Sequence, residues 1–210
     1  KTVINEYGLI TAVINTYAPA LDCTVKLPQI EHNQHEISTP DVIYQIVKDT
    51  PIELPALLAM WLSLTESEIL GLTKSKSISS DGCYITIKEV IVKDEHNNAV
   101  VKNKGKQPTR DRTLRLPEYL KQLIDKVETD QLVTLSGTAL SKRFNRLITK
   151  AGIPHMTFHD LRHVNASVMA VLRIPDKYAQ ERGGWKTDHI MKSTYMQTFS
   201  SERAAIDNQI

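Results

Sequence analysis

No arginine occurs among the first 109 of the 210 residues; all nine lie at or beyond Arg110. Nor is there a run near the ~20 consecutive apolar residues that a bilayer-spanning helix requires, which excludes a transmembrane helix. No basic, apolar and small-residue leader pattern opens the sequence, so nothing points to secretion. Two cysteines, Cys23 and Cys83, are too few for a disulfide framework and read as reduced thiols of a cytosolic chain. Eight Gly and nine Pro exclude a low-complexity or collagenous chain. Aromatic residues make up only 6%. What remains, 41% hydrophobic and 24% charged, is ordinary globular composition. The length suits one full domain with a remnant of another.

The net charge of +2 conceals an asymmetry. Residues 1–100 carry 7 Lys and 13 Asp+Glu, whereas residues 101–210 carry 19 Lys+Arg and 11 Asp+Glu. A basic, Arg-rich half suits phosphate recognition, because guanidinium grips phosphate bidentately. A solvated surface of a near-neutral protein explains the charge equally well.

Periodicity places the elements. Residues 1–20 form an amphipathic helix with Ile10, Val13, Ile14 and Tyr17 at helical spacing, and residues 21–38 read as a linker. The opening helix is then the end of a separate N-terminal domain. Thr39-Pro40-Asp41 is a helix start, with Thr as cap, Pro in the first turn and Asp at the positive end. Leu54–Leu64 is a second helix, apolar enough to be buried, and Ser67–Leu72 a short third. The period then changes to β-branched runs at Tyr84–Lys88 and Val90–Val92, followed by Val100–Lys104 and Arg112–Leu116. These predict a small antiparallel sheet, with a basic turn from Gly105 to Thr109. From Pro117 the chain is helical again, through Leu120–Val127, Leu140–Lys150, Phe158–Leu172, Asp176–Arg182 and His189–Gln197. Gly152 ends the second of these. Lys142, Arg143, Arg146 and Lys150 lie on its polar side, a candidate DNA-backbone stripe. The expected fold is mainly α with a small antiparallel β-sheet, an α+β architecture.

One constellation carries chemistry. Thr157-Phe158-His159-Asp160-Leu161-Arg162-His163 places His159 and Arg162 three apart, on one helix face. Gly183-Gly184-Trp185 follows the next helix, and Tyr195 comes ten residues after Trp185. H-D-L-R-H, a Gly-Trp box and a Tyr at this spacing resemble the catalytic domain of the tyrosine recombinases, the phage-integrase family. Ser63-Leu64-Thr65-Glu66-Ser67-Glu68-Ile69-Leu70-Gly71-Leu72 resembles that family's first box, usually G-L-R-x-S-E-L-x-x-L. The strands flanking Lys104 are similar to the hairpin that carries its catalytic Lys.

The resemblance implies residues 39–199 as the catalytic domain, residues 1–20 as the last helix of an N-terminal DNA-binding domain, and 200–210 as a tail that docks on a neighbouring subunit. It implies self-association on a double-stranded DNA recombination site, in the cytoplasm with the bacterial nucleoid, and no membrane partner. It implies Tyr195 as the nucleophile that forms a 3′-phosphotyrosyl link, with no metal and no other cofactor. Arg162 would stabilise charge on the phosphate oxygens. His159 would hydrogen-bond the phosphate and assist proton movement. Trp185 would offer its indole N–H, and Lys104 would protonate the leaving 5′ oxygen. Lys102 and Lys106 compete for that last role.

The departure is Thr65, which stands where the family's first arginine belongs. No alignment gap rescues it, and Lys74 and Lys76 are the nearest cations. Three readings stay open: a recombinase impaired at Thr65 or tolerating it, a DNA-binding protein of the same fold that cuts weakly or not at all, and a metal phosphohydrolase built on His159, Asp160 and His163.

Overall fold

The computed structural model describes residues 2–28, 36–103, 112–187, 189, 191 and 192. The chain separates into two compact units, residues 1–34 and 35–210. In the first, α1 (Thr2–Tyr17) carries no buried residue, and Tyr7 Oη donates to the Cys23 carbonyl at 2.7 Å.

The second unit holds α2 (Pro40–Val47), α3 (Glu53–Leu62), α4 (Glu66–Leu70), α5 (Lys74–Ser77), β1 (Tyr84–Ile87), β2 (Glu89–Lys93), β3 (Ala99–Asn103), β4 (Arg112–Arg115), α6 (Glu118–Asp125), α7 (Gly137–Ala151), α8 (Asp160–Val171) and α9 (Asp176–Gly183). It is mostly helical with antiparallel strands, as the periodicity predicts. The strands, however, form two separate two-stranded ladders rather than one sheet. β2 pairs with β3, and β1 pairs with β4 in the register Ile87↔Arg112 and Tyr84↔Arg115. The inner hairpin is inserted into the connection between the outer pair. The helix expected over His189–Gln197 falls largely outside the described residues.

α3 is the axis of the unit. Seven of its ten residues are buried, because α2, α6 and α8 pack around it. Around it lies one continuous apolar cluster running from Ile37 through Ile43, Leu57, Ile85, Leu114, Leu120 and Phe144 to Val164. A smaller cluster of Ala166, Met169, Ala179, Trp185 and Met191 joins α8 to α9. α8 is anchored to α3 by Asn165, whose buried Nδ2 donates to the Met60 carbonyl at 2.7 Å.

Local chemistry fixes the element ends. Thr39 occupies the position before α2 and Pro40 its first turn, but the Thr39 side chain makes no capping hydrogen bond, contrary to the sequence expectation. The side-chain caps are Ser136, which accepts from Ala139 N at the start of α7, and Thr65 on α4. Gly152 closes α7 in the left-handed conformation. Gly71 ends α4 against β2, where a Cβ would lie 2.5 Å from the Glu89 carbonyl oxygen.

Phe144 of α7 is fully buried and meets Phe158 edge-to-face at 5.7 Å between centroids. Phe144→Ala is therefore expected to lower the unfolding free energy by about 3–5 kcal/mol, read as a lower urea midpoint at unchanged slope.

Candidate active site

Glu68 sits in the middle of α4 with its side chain only 5% exposed. A buried carboxylate must be paired, because desolvation otherwise neutralises it. Arg112, at the start of β4, supplies the partner. Its Nη1 meets Glu68 Oε1 at 3.1 Å and its Nη2 meets Oε2 at 3.1 Å, a fork-on-fork arrangement. Arg162 of α8 lies on the other side, with Nη1 3.9 Å from Oε2. Both arginine side chains are more than nine-tenths buried.

The two guanidiniums share a second acceptor, the carbonyl of Ser63. Arg112 Nη2 donates to it at 3.2 Å, and Arg162 Nη1 donates to it as well. Ser63 closes α3 with φ 56° and ψ 34°, a left-handed conformation that disfavours a side chain. The turn aims its carbonyl between α4, β4 and α8.

Arg162 Nη2 donates to the Gly183 carbonyl at 3.2 Å, and its guanidinium lies 5.3 Å from the Trp185 ring. Gly184, with φ +67°, turns the chain from α9 into Trp185. A Cβ there would lie 2.2 Å from Arg112 Nη1, so the backbone passes directly against that guanidinium. The structure thus brings together Arg162 and Trp185 from the sequence-predicted set and adds Arg112.

His159 precedes α8, and its ring meets His163 edge-to-face at 5.9 Å. Although His159 retains solvent exposure, the surrounding protein lowers its pKa. Desolvation is the main cause and the Arg162 charge the second, with Asp160 and Glu66 opposing. Asp160 holds the turn: its Oδ2 accepts from Thr157 N at 2.7 Å and Oγ1 at 2.9 Å, and its Oδ1 lies 3.7 Å from His163 Nε2. Among the described residues no group of three or more His, Cys, Asp or Glu side chains is placed to hold a metal ion.

Thr65 is engaged as a helix cap. Its Oγ1 accepts from Glu68 N at 3.3 Å, and its own N–H donates to Glu68 Oε2 at 2.7 Å, a complete capping box. Neither nearby lysine replaces an arginine. Lys74 donates to the Val127 carbonyl, and Lys76 pairs with Glu89 at 2.9 Å. Lys102 is exposed on β3 opposite Val90. Lys104, Lys106 and Tyr195 lie outside the described residues. Lys142, Arg143, Arg146 and Lys150 are all exposed on α7.

Arg112 is the site residue that sequence reasoning missed. The signal lay in the alternation of β4: Arg112, Leu114 and Leu116 fall on the face turned to the core, Thr113 and Arg115 on the exposed one. An arginine on a buried strand face requires a carboxylate, and Glu68 is that group.

The phage integrase family model matches residues 66–202, more than half of the sequence. The chain belongs to the phage integrase family. Among relatives, an integrase of Saccharopolyspora erythraea is 33% identical over 64 residues, which are 30% of this chain and 14% of that protein. The chain therefore matches only a small part of that relative's length. Of solved structures, the Tn1549 transposon integrase in complex with transposon right end DNA superposes with a TM-score of 0.75 at 15% identity, over 100% of this chain and 79% of that one. XerA recombinase gives 0.63 at 17% identity, over 94% and 72%. A lambda integrase dimer bound to a COC′ core site gives 0.56 at 19%, over 82% and 50%. This phage-integrase-family chain has the fold of the tyrosine recombinase catalytic domain.

The His159 shift has a sign that can be measured. The folded state binds the proton less tightly than the unfolded state, so this group's contribution is present above the ordinary pKa of 6.5 and is lost as pH falls through the lowered value. An NMR titration of the His159 ring should give a midpoint below 6.5. Relative to His159→Gln, the parent should lose stability as pH falls below 6.5; equal slopes for the two would contradict the shift.

Proposed function

We propose that this chain is a tyrosine-type DNA strand transferase that breaks and rejoins a double-stranded recombination site, with residues 39–199 as its catalytic domain. The observation that carries the reading is that Arg162 meets both the first box and the Trp185 ring, on a chain of the phage integrase family, with His159 near enough to feel the Arg162 charge. In this reading the Tyr195 phenolic oxygen attacks phosphorus. A phosphotyrosyl bond forms to the 3′ side, the bond to the 5′ oxygen breaks, and that oxygen leaves as a hydroxyl with a proton from Lys104. His159, whose pKa is lowered by desolvation and the Arg162 charge, accepts or relays the Tyr195 proton. Arg162 and the Trp185 indole N–H hold the non-bridging oxygens, where charge builds. No metal ion and no other cofactor takes part. Residues 1–20 are the end of an N-terminal DNA-binding domain, 21–38 a linker, and the tail at 200–210 docks on a second subunit on DNA. The protein works in the cytoplasm, on nucleoid or phage DNA. Among the described residues no helix is long and apolar enough to cross a membrane.

One observation favours a second reading, a DNA-binding protein of the same fold with little strand transfer. Thr65 cannot clamp a phosphate as an arginine does, and it is already held in the helix cap. Covalent trapping separates the two. A pool of nicked duplexes of randomised sequence is incubated with the chain in chelator and then denatured. The strand-transferase reading expects a denaturant-resistant protein–DNA species that is absent in Tyr195→Phe. DNA binding without that species, and its appearance in Thr65→Arg, would establish the second reading. Activity lost to chelator and indifferent to Tyr195 would overturn both.

The α7 stripe gives an independent expectation. If Lys142 and Arg146 each neutralise one phosphate, replacing both with Ala should weaken DNA binding uniformly across sequences. The slope of log K against log salt should become shallower by about 2, as a salt titration would show.

A further inference from the structure

The first box lacks its arginine, yet the structure does not lack a second guanidinium. We propose that Arg112 supplies, from β4, the phosphate-neutralising charge that Thr65 cannot, and so acts as a catalytic residue; the proposal rests on the strand-transferase reading above.

Three observations carry it. First, Arg112 reaches the first box itself: it bonds both oxygens of Glu68 and the carbonyl of Ser63, residues on either side of Thr65 in that box. Second, it shares the Ser63 carbonyl and the Glu68 carboxylate with Arg162, so the two guanidiniums form one cluster. Among the described residues, one carboxylate of that cluster, Glu68, faces two cations whose side chains are more than nine-tenths buried. Two guanidiniums held side by side in a place of low dielectric favour an anion, and the phosphate in transfer is the anion that the reading brings there. Third, Arg112 Nε has no hydrogen-bond partner among the described residues, and the backbone of Gly184, leading into Trp185, passes against Nη1 with no side chain between. The guanidinium therefore borders the segment that delivers Trp185.

A purely structural arginine, one that only neutralises Glu68, would give a different experiment. The duplex recovered from the trapping pool is synthesised twice, with a normal scissile phosphate and with a neutral methylphosphonate in its place. Formation of the covalent species is timed for the parent, Thr65→Arg, Arg112→Gln, Arg112→Lys and the double variant Thr65→Arg/Arg112→Gln. On the phosphate substrate Arg112→Gln should lose about 10²–10³ in rate, the cost of one preorganised donor to developing charge. On the methylphosphonate, whose charge is gone, the same variant should stay within a few-fold of the parent. Arg112→Lys keeps the charge without the fork and should fall between. Each variant is compared with itself on two substrates, so partial loss of folded protein cancels. Thr65→Arg should restore much of the loss of Arg112→Gln while adding little to the parent.

Equal losses on both substrates, or no loss on either, would overturn the role of Arg112 and leave the strand-transferase reading standing. Absence of any Tyr195-dependent species from the parent would overturn both together.

Discussion

The carboxylate of Glu68 lies where α4, β4 and α8 meet, and it has to satisfy donors from all three. From α4's own N-terminus comes the Thr65 N–H, from β4 the fork of Arg112, and from α8 the more distant charge of Arg162. A carboxylate buried to this degree is tolerated only when paired and hydrogen-bonded. Arg112 must therefore reach in from the strand. Because Arg162 is also turned inward, the Ser63 carbonyl is taken up by two cations. That carbonyl is available because α3 ends in a left-handed turn at a serine, a conformation that costs on the order of 1 kcal/mol and persists only where its surroundings hold it. Two guanidinium contacts and the packing of α8 on α3 supply that constraint.

The same hub explains what Thr65 does. Position 65 has two incompatible uses. As an N-cap it closes α4, and its hydroxyl and N–H lock the Glu68 backbone and side chain in place, a contribution of about 1 kcal/mol. As an arginine it would give up the hydroxyl cap and place a third guanidinium beside one carboxylate. With Arg112 already paired to Glu68, that third cation would enter without a counter-charge. The threonine is thus consistent with its surroundings, and the Glu68 carboxylate that it helps to hold takes its counter-charge from Arg112 on a different element.

Much of this was legible in the residues. The periods gave the four strands and most of the described helices to within a few positions, though not the single turn of α5, and of the residues singled out by spacing the fold sets Arg162 against the Trp185 ring. What the linear reading could not supply was the partition of the strands into two ladders, since pairing depends on which hairpin inserts into which. It also could not supply Arg112. A box is a local pattern, and Arg112 lies 44 residues beyond Glu68, joined to it only through the β1–β4 register. The alternation Arg112, Leu114, Leu116 held the clue, but a charged residue on an inward face becomes meaningful only when its counter-ion can be named. The cap at Thr39 failed for the converse reason: the residue type is right, and the side-chain geometry is not.

The charge asymmetry of the chain now has a structural meaning. The first hundred residues contribute excess carboxylates and no arginine, and the remainder contributes every arginine. At the site the halves interlock: the acidic half supplies Glu68 and the Ser63 carbonyl as acceptors, and the basic half supplies Arg112 and Arg162 as donors. Neither half can form the cluster alone, because buried guanidiniums without Glu68 would repel, and Glu68 without them would be protonated or expelled to water. Among the described residues, one carboxylate thereby organises two arginines from different elements, on the side of the unit where α8 delivers Arg162 and the turn after α9 delivers Trp185.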